Sequence, residues 1–168
     1  MPRTLRLSAL ALTLSALLAG CASTPQSLDD LPRTPQASVD EILKDADRRE
    51  GAEANLLRLH AAQTALNAGN PEQTQKILQR VPQSDLPTDQ QIRFSELQAT
   101  SALALGENPR ALRAIQHSSL QQLDLRPVEE QLRIQQLRAD ILEANNQPIE
   151  AAQERVYIDG LLPAGRQA

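Results

Sequence analysis

Three stretches of the chain repeat one local pattern, in which a helix-ending residue is followed within a few positions by a proline. The stretches read LNAGNPEQTQKIL (66–78), LALGENPRALRAI (103–115) and LEANNQPIEAAQE (142–154). Their prolines are Pro71, Pro109 and Pro148, so the intervals are 38 and 39 residues. Glycine adopts the left-handed backbone that closes a helix, and proline fits the first turn of the next helix. The sequence therefore predicts three helix–turn–helix units.

The turns also set the helix lengths. We expect helices to end at Gly69, at Gly106 and near Asn145–Asn146, because asparagine tolerates the left-handed conformation next best after glycine. Each unit then has a long helix of about 16–18 residues, a tight turn and a shorter helix of about 10–12 residues. Loops join one unit to the next.

The first long helix is apolar over a wide face. Ala54, Leu57 and Ala61 form one stripe, and Leu59 and Ala62 form an adjacent one. Such a helix has neighbours on two sides, as the inner helix of a stacked array does. Together with the period, this face predicts an all-α, TPR-like α-solenoid of about three to four helical hairpins over residues 38–162. An irregular helical bundle is the alternative, because the usual aromatic positions of the tetratricopeptide repeat are mostly missing.

Three helix starts carry signals of their own. Ser38 followed by Glu41 fits a capping box, in which each residue's side chain bonds the other's backbone N–H. Thr88 is expected to cap the second long helix, and Pro127 to lie in the first turn of the third.

The start of the chain has the pattern of a secretory signal. An apolar stretch of about a dozen residues, Leu7 to Leu18, follows Arg3 and Arg6, and it is too short to span a bilayer. Residues 1–20 are therefore predicted to be a lipoprotein signal peptide.

The chain's one cysteine, Cys21, ends this signal. The preceding Leu18, Ala19 and Gly20 resemble the bacterial lipobox, whose small residues admit the backbone to the signal peptidase. Cys21 is therefore the predicted lipid attachment site, through a thioether to a diacylglyceryl group. A buried free cysteine is the alternative, but Cys21 lies between a signal and a linker rather than on a core face.

Residues 21–37 are predicted to form the lipidated cysteine and a flexible linker. Pro25, Pro32 and Pro35 make this segment poor in core-forming residues. Its sixteen residues after the cysteine would reach about 50 Å if extended. Ala22 follows the cysteine, where aspartate would resemble an inner-membrane retention signal. The predicted location is the periplasmic face of the outer membrane.

Signals of catalysis or of ligand binding are weak. His60 and His117 are not at metal-ligand spacing, the six glycines are dispersed, and the second cysteine of a metal or redox pair is absent. We therefore expect no enzyme activity, no cofactor, no metal and no small-molecule substrate. The net charge of −4, without a basic run, disfavours nucleic acid binding.

Two readings of the charged residues remain open. Asp89/Arg93 and Glu129/Arg133 have the i, i+4 spacing of ordinary surface pairs on helices. Arg126, Arg133 and Arg138 could line a groove for an acidic partner, although a role in solubility is favoured by the acidic residues among them.

Extended similarity, rather than a short motif, suggests a family. The lipobox and residues 31–162 resemble the N-terminal half of the penicillin-binding-protein activator lipoproteins, the LpoA/LppC family. The similar segments are LPRTPQASVDEIL (31–43), LLRLHAAQTAL (56–66), ALRAIQHSSLQQL (111–123) and PVEEQLRIQQLRADILEANNQPIEAAQERVYI (127–158).

The resemblance implies an outer-membrane lipoprotein whose helical, TPR-like part crosses the periplasm. Such a protein activates a class A penicillin-binding protein, a peptidoglycan synthase, by contact and without catalytic residues of its own. Family members continue into an α/β domain that is expected to engage the synthase, so residues 163–168 are expected to be a tail before such a domain. A general periplasmic scaffold lipoprotein, serving outer-membrane assembly or secretion, is the alternative function.

Overall fold

The computed structural model describes residues 38–117, 120 and 123–161, and within them it is built from seven α-helices without a strand. The helices are α1 (Val39–Ala46), α2 (Gly51–Asn67), α3 (Pro71–Leu78), α4 (Thr88–Ala104), α5 (Asn108–Ile115), α6 (Val128–Ala144) and α7 (Pro148–Leu161). The predicted all-α, TPR-like fold is confirmed.

The helices pair into three hairpins, α2 with α3, α4 with α5 and α6 with α7, while α1 packs on α2. The short helices α3 and α5 also contact the long helices that follow them, α4 and α6 respectively. The long helices α2, α4 and α6 contact one another in sequence. The long helices therefore form one layer of the array, and α3, α5 and α7 form the other.

The long helices have the predicted length, but the short ones differ from it. All three long helices have 17 residues, whereas α3 and α5 have 8 each and α7 has 14. Helix α3 ends early because Pro82 follows it closely. Just before this proline the hydrogen bonds span three residues instead of four, from Arg80 N–H to the Ile77 carbonyl and from Val81 N–H to the Leu78 carbonyl. A proline cannot donate the next helical hydrogen bond.

The three turns have the predicted conformation. Gly69, Gly106 and Asn146 have φ values of +74°, +73° and +59°, all in the left-handed region. In each turn, the backbone N–H of the residue that follows the left-handed one donates a hydrogen bond to a carbonyl of the preceding helix. Asn70 N–H, for example, donates to the Ala65 carbonyl at 3.0 Å. This bond pattern is the Schellman motif, which satisfies carbonyls that the helix end leaves unpaired.

The left-handed turns lead to a stability prediction. Replacing Gly69 or Gly106 with alanine should each lower the free energy of unfolding by about 1–2 kcal/mol, the cost of a left-handed L-residue. A Cβ at either position would meet no atom within 4 Å, so backbone conformation alone sets this cost. Gly160→Ala adds the same methyl group inside α7, where it should raise the free energy of unfolding by up to about 1 kcal/mol. Urea unfolding followed by circular dichroism measures all three, and equal midpoints for Gly69→Ala and Gly160→Ala would contradict the assignment.

One of the three predicted helix starts is confirmed and two are wrong. Ser38 N–H donates to Glu41 Oε2 at 2.8 Å and Glu41 N–H donates to Ser38 Oγ at 3.3 Å, which completes the capping box. Thr88 does not cap α4 but is its first residue, and Pro127 precedes α6 instead of lying in its first turn. The extended Pro87 and Pro127 lead the chain into these helices, and their carbonyls accept the first helical hydrogen bonds.

Two apolar clusters hold the hairpins together. The first joins α1, α2, α3 and α4 around buried leucines such as Leu56, Leu59 and Leu97, and it includes the buried Phe94. The second joins α4, α5 and α6 around Ile115, Ile134 and Ile141. Helix α4 contributes to both clusters, so it connects the two halves of the array.

Candidate functional site

A groove of about 410 Å³ crosses the layer of long helices and is lined by α2, α4 and α6. We call a row those lining residues that come the same number of residues after the start of their own helix. The groove is best described by three such rows.

The first row is polar. Gln63, Thr100 and Asp140 each come twelve residues after the first residue of their helix, which is Gly51, Thr88 or Val128. Neighbouring amides extend this row. Gln63 Nε2 donates to Asn67 Oδ1 at 2.7 Å, and Gln136 Nε2 donates to Asp140 Oδ1 at 2.8 Å.

The second row forms an apolar floor. Leu97 and Leu137 each come nine residues after the start of α4 and α6, and Leu66 lines the same groove from α2. These leucines are partly or fully buried, so the bottom of the groove is hydrophobic while its sides offer hydrogen-bonding groups.

The third row is charged. Arg93 and Arg133 each come five residues after the start of their helix, and both bind the carboxylate of Glu96. Arg93 Nη1 lies 3.0 Å from Glu96 Oε2, while Arg133 approaches both carboxylate oxygens, at 2.5 and 3.1 Å. The hydrogen bond to Glu96 raises the pKa of Arg133 above its ordinary value, so this guanidinium stays charged.

This cluster replaces the ion pairs that the sequence predicted. The expected pairs Asp89/Arg93 and Glu129/Arg133 are wrong, because both arginines turn to Glu96, whose side chain is only 10% exposed. Arg133 and Glu96 are 37 residues apart on different helices, so i, i+4 spacing could not reveal the contact.

The hypothesis of a basic groove for an acidic partner loses its support. Arg133 is held by Glu96, and Arg138 lies 3.6 Å from the carboxylate of Glu154 on α7. Arg126 precedes α6 and does not line the groove. The charges of the four ionisable residues that line the groove, Arg93, Glu96, Arg133 and Asp140, sum to zero.

The Glu96 cluster also carries a stability prediction. Replacing Glu96 with glutamine should lower the free energy of unfolding by about 1–2 kcal/mol, because the charge-assisted bonds are lost. The value is modest since the Arg133 side chain is half exposed and screened by solvent. Glu72→Gln, at an exposed site on α3, should stay within about 0.5 kcal/mol. Thermal unfolding of both variants is measured at low and at high salt. Equal losses of stability in Glu96→Gln and Glu72→Gln would contradict a stabilising role for the Glu96 cluster.

The other residues singled out from the sequence lie elsewhere. His60 is half-buried within α2, and His117 lies beyond α5 with Nδ1 3.4 Å from Gln83 Nε2. Among the described residues, no group of three or more histidine, cysteine or acidic side chains could hold a metal ion. None of the described helices combines the length and the hydrophobicity that crossing a bilayer requires. Cys21 and the lipobox residues Leu18, Ala19 and Gly20 lie outside the described residues.

Comparison with known proteins identifies the family. A family model described as "LppC putative lipoprotein" matches residues 32–168, which is most of the chain. The chain belongs to the LppC family. The resemblance predicted from the sequence is therefore confirmed.

Among the relatives that this LppC family member matches are proteins named penicillin-binding protein activator LpoA, from Vibrio cholerae serotype O1 strains M66-2 and MJ-1236. Each is 29% identical over 152 residues, covering 89% of this chain and 25% of the relative. The chain thus spans about a quarter of the length of these relatives. A solved structure of Haemophilus influenzae LpoA matches with a TM-score of 0.52 and 18% identity, over 78% of this chain and 24% of that one. This second likeness supports the helical fold alone.

Proposed function

We propose that this LppC family member is a lipid-anchored regulator of peptidoglycan synthesis that activates a class A penicillin-binding protein through protein–protein contact. The observation that carries the proposal is the family match over residues 32–168, together with relatives named as penicillin-binding protein activators. We assign it no catalytic role. Its part in the reaction is to bind the synthase and favour the synthase's active state.

The proposal gives each segment of the chain a task. Cleavage after the lipobox Leu18–Ala19–Gly20 makes Cys21 the first residue of the mature protein. Cys21 carries the acyl chains that hold the protein on the periplasmic face of the outer membrane. Residues 22–37 act as a tether, and the helical array from residue 38 onward forms an arm directed towards the synthase. Two or more acyl chains are enough for stable anchoring, whereas one chain binds a bilayer only marginally.

The groove across α2, α4 and α6 is the surface that we assign to protein contact. Helical repeat arrays present extended surfaces of this kind, with side chains from successive repeats aligned in rows. Gln63, Thr100 and Asp140 form such a row here, and Leu97 and Leu137 lie beneath it.

An activity assay tests the proposal. The lipidated protein in detergent is added to a purified class A penicillin-binding protein of the same organism, and the rate of glycan-chain polymerisation is measured. We expect the rate to rise with added protein and to saturate. An unrelated lipoprotein with the same N-terminal 37 residues is the control for anchor and detergent effects.

The alternative function has its own outcome in a parallel experiment. If affinity purification from envelopes recovers outer-membrane assembly or secretion components, and the polymerisation rate does not change, the protein is a general periplasmic scaffold. That pair of results would contradict the proposal.

A further inference from the structure

We infer that the exposed apolar face of α7 receives a helix of another protein, in which lysine or arginine residues flank the apolar stripe. This α7 face consists of Pro148, Ile149, Ala152, Gln153 and Val156, which line a shallow depression of about 600 Å³. Their spacing places them on one side of the helix. The inference goes beyond the proposed function, because none of these residues lines the groove across α2, α4 and α6.

The α7 face is apolar but open to solvent. Ile149 and Val156 are 73% and 71% exposed, and the small, exposed Ala152 lies between them on the helix. Three of the five large apolar residues that are exposed in the described part of the chain belong to α7, namely these two and Tyr157. Exposed apolar residues that are grouped on one helix, unlike isolated ones, mark an interaction surface.

In the earlier hairpins, the equivalent positions of the short helix face the next hairpin. Counted from the left-handed residue of each turn, Ala152 and Val156 correspond to Gln75 and Gln79 of α3. Both glutamines line a cavity that α4 and α5 complete, and Gln75 is buried there. Leu112, the equivalent of Ala152 in α5, packs against the second apolar cluster. The α7 face therefore lies where this fold packs helices together, and a helix is the shape that suits it.

The spacing within the face sets the pattern of the docked helix. Ile149 and Val156 are two turns apart, and the small Ala152 leaves a gap between them. A leucine-sized side chain of the partner fits into this gap, as the ridges of one helix fit into the grooves of another. Because α7 has 14 residues, it is about 21 Å long and can contact about four turns of a partner helix.

Two ion pairs beside the α7 face are balanced. Arg155 binds the carboxylate of Glu143 on α6, and Arg138 Nη1 lies 3.6 Å from Glu154 Oε1. The hydrogen bond to Glu143 raises the pKa of Arg155 above its ordinary value, so this guanidinium stays charged. These two pairs therefore add no net charge to the surroundings of the face.

Further acidic residues make these surroundings negative. Glu150 is exposed on α7, and no basic side chain of the described residues forms an ion pair with it. Asp159 is a second exposed acidic residue on α7, whereas Arg155 is the one basic residue of this helix. Asp140 on α6 adds its negative charge near Arg155. A docked helix therefore gains attraction from lysine or arginine beside its apolar stripe.

The same charges disfavour two other occupants. A helix that binds the surface of an anionic membrane carries lysine and arginine on its polar face, whereas α7 has three acidic residues and one basic residue. A second copy of the chain would bring the same acidic residues against the first copy, so that like charges oppose each other. A partner helix with basic flanks is the occupant that agrees with both the apolar face and its surroundings.

Binding of two designed peptides to the complete lipidated protein in zwitterionic nanodiscs tests the inference. Both peptides carry the same leucine stripe over four turns, and a side-chain cross-link keeps them helical because short isolated helices are marginal in water. Lysines flank the stripe in one peptide and glutamates in the other. We expect saturable binding of the lysine peptide, measured by fluorescence anisotropy, with an affinity about tenfold above that of the glutamate peptide. Nanodiscs with an unrelated lipoprotein that has the same first 37 residues set the background.

Two pairs of variants locate the binding. Val156→Gln removes an apolar contact and should weaken binding of the lysine peptide about tenfold. Val128→Gln, the same change at an exposed site of α6 outside the face, should leave binding unchanged. Glu150→Lys should weaken the lysine peptide and strengthen the glutamate peptide, whereas Glu72→Lys, at an exposed site of α3, should alter neither. Circular dichroism checks that each variant stays helical.

Three results would overturn the inference: equal affinity for the two peptides, binding that Val156→Gln leaves unchanged, and no binding above the background. A dimer in sedimentation that Val156→Gln dissociates would also overturn it, because a second copy would then cover the face. The assay contains no synthase, so a failure here is distinct from a failure of the polymerisation test of the proposed function.

Discussion

Replacing Cys21 with serine is expected to abolish lipid attachment completely. Serine cannot form the thioether to the diacylglyceryl group, so no acyl chain should be present on the variant. Each buried methylene of an acyl chain contributes about 0.8 kcal/mol to membrane binding, and the loss of two or three chains removes the anchor. Labelling with radioactive palmitate and intact mass measurement report the change directly.

The control for this experiment is the neighbouring substitution Ala22→Ser, which leaves the thiol and the lipobox intact. It should be labelled like the unchanged protein, with a mass that begins at Cys21 and includes the acyl chains. An unchanged protein that carries no acyl mass, and that partitions into the aqueous phase of a detergent separation, would contradict the predicted anchor.

Replacing Leu59 with alanine should be the most damaging single change in the helical array. Leu59 is fully buried in the first apolar cluster, between α2 and its neighbours. Loss of a buried leucine side chain costs about 2–5 kcal/mol, because transfer energy is lost and a cavity remains. A typical domain has only about 5–15 kcal/mol of total stability, so the variant should unfold at much lower urea concentration.

Ile149→Ala is the matched control for Leu59→Ala. It also truncates an aliphatic side chain to a methyl group, but Ile149 lies on α7 and is 73% exposed. Its unfolding free energy should change by less than about 0.5 kcal/mol. Comparable losses in the two variants would mean that α2 is not packed as described.

The repeat architecture could be predicted from sequence because its signals are local. A left-handed turn needs glycine or asparagine, and the proline after it starts the next helix, so Gly69, Gly106 and Asn146 mark the hairpins unambiguously. The long helices, with 17 residues each, lie within the predicted range, whereas the predicted length of the short helices was wrong. The starts of α4 and α6 were less predictable, since a proline before a helix can replace a side-chain cap.

The groove could not be predicted in the same way because it depends on contacts between repeats. The Glu96 cluster joins α4 to α6, and its arginines each had an acidic residue at the favourable i, i+4 spacing. Local spacing therefore predicted the wrong partners. Once the repeats are aligned by their turns, Gln63, Thr100 and Asp140 fall in one row, so an alignment of repeats could have revealed it.

The most direct test of the central claim is recovery of the synthase on the anchored protein itself. Envelopes are solubilised, the lipidated protein is captured, and class A penicillin-binding proteins are detected by a fluorescent penicillin. The same amount of an unrelated lipoprotein with the same first 37 residues sets the background. We predict recovery of a class A penicillin-binding protein well above that background. Recovery equal to the background would contradict the claim that this helical arm regulates peptidoglycan synthesis by contact.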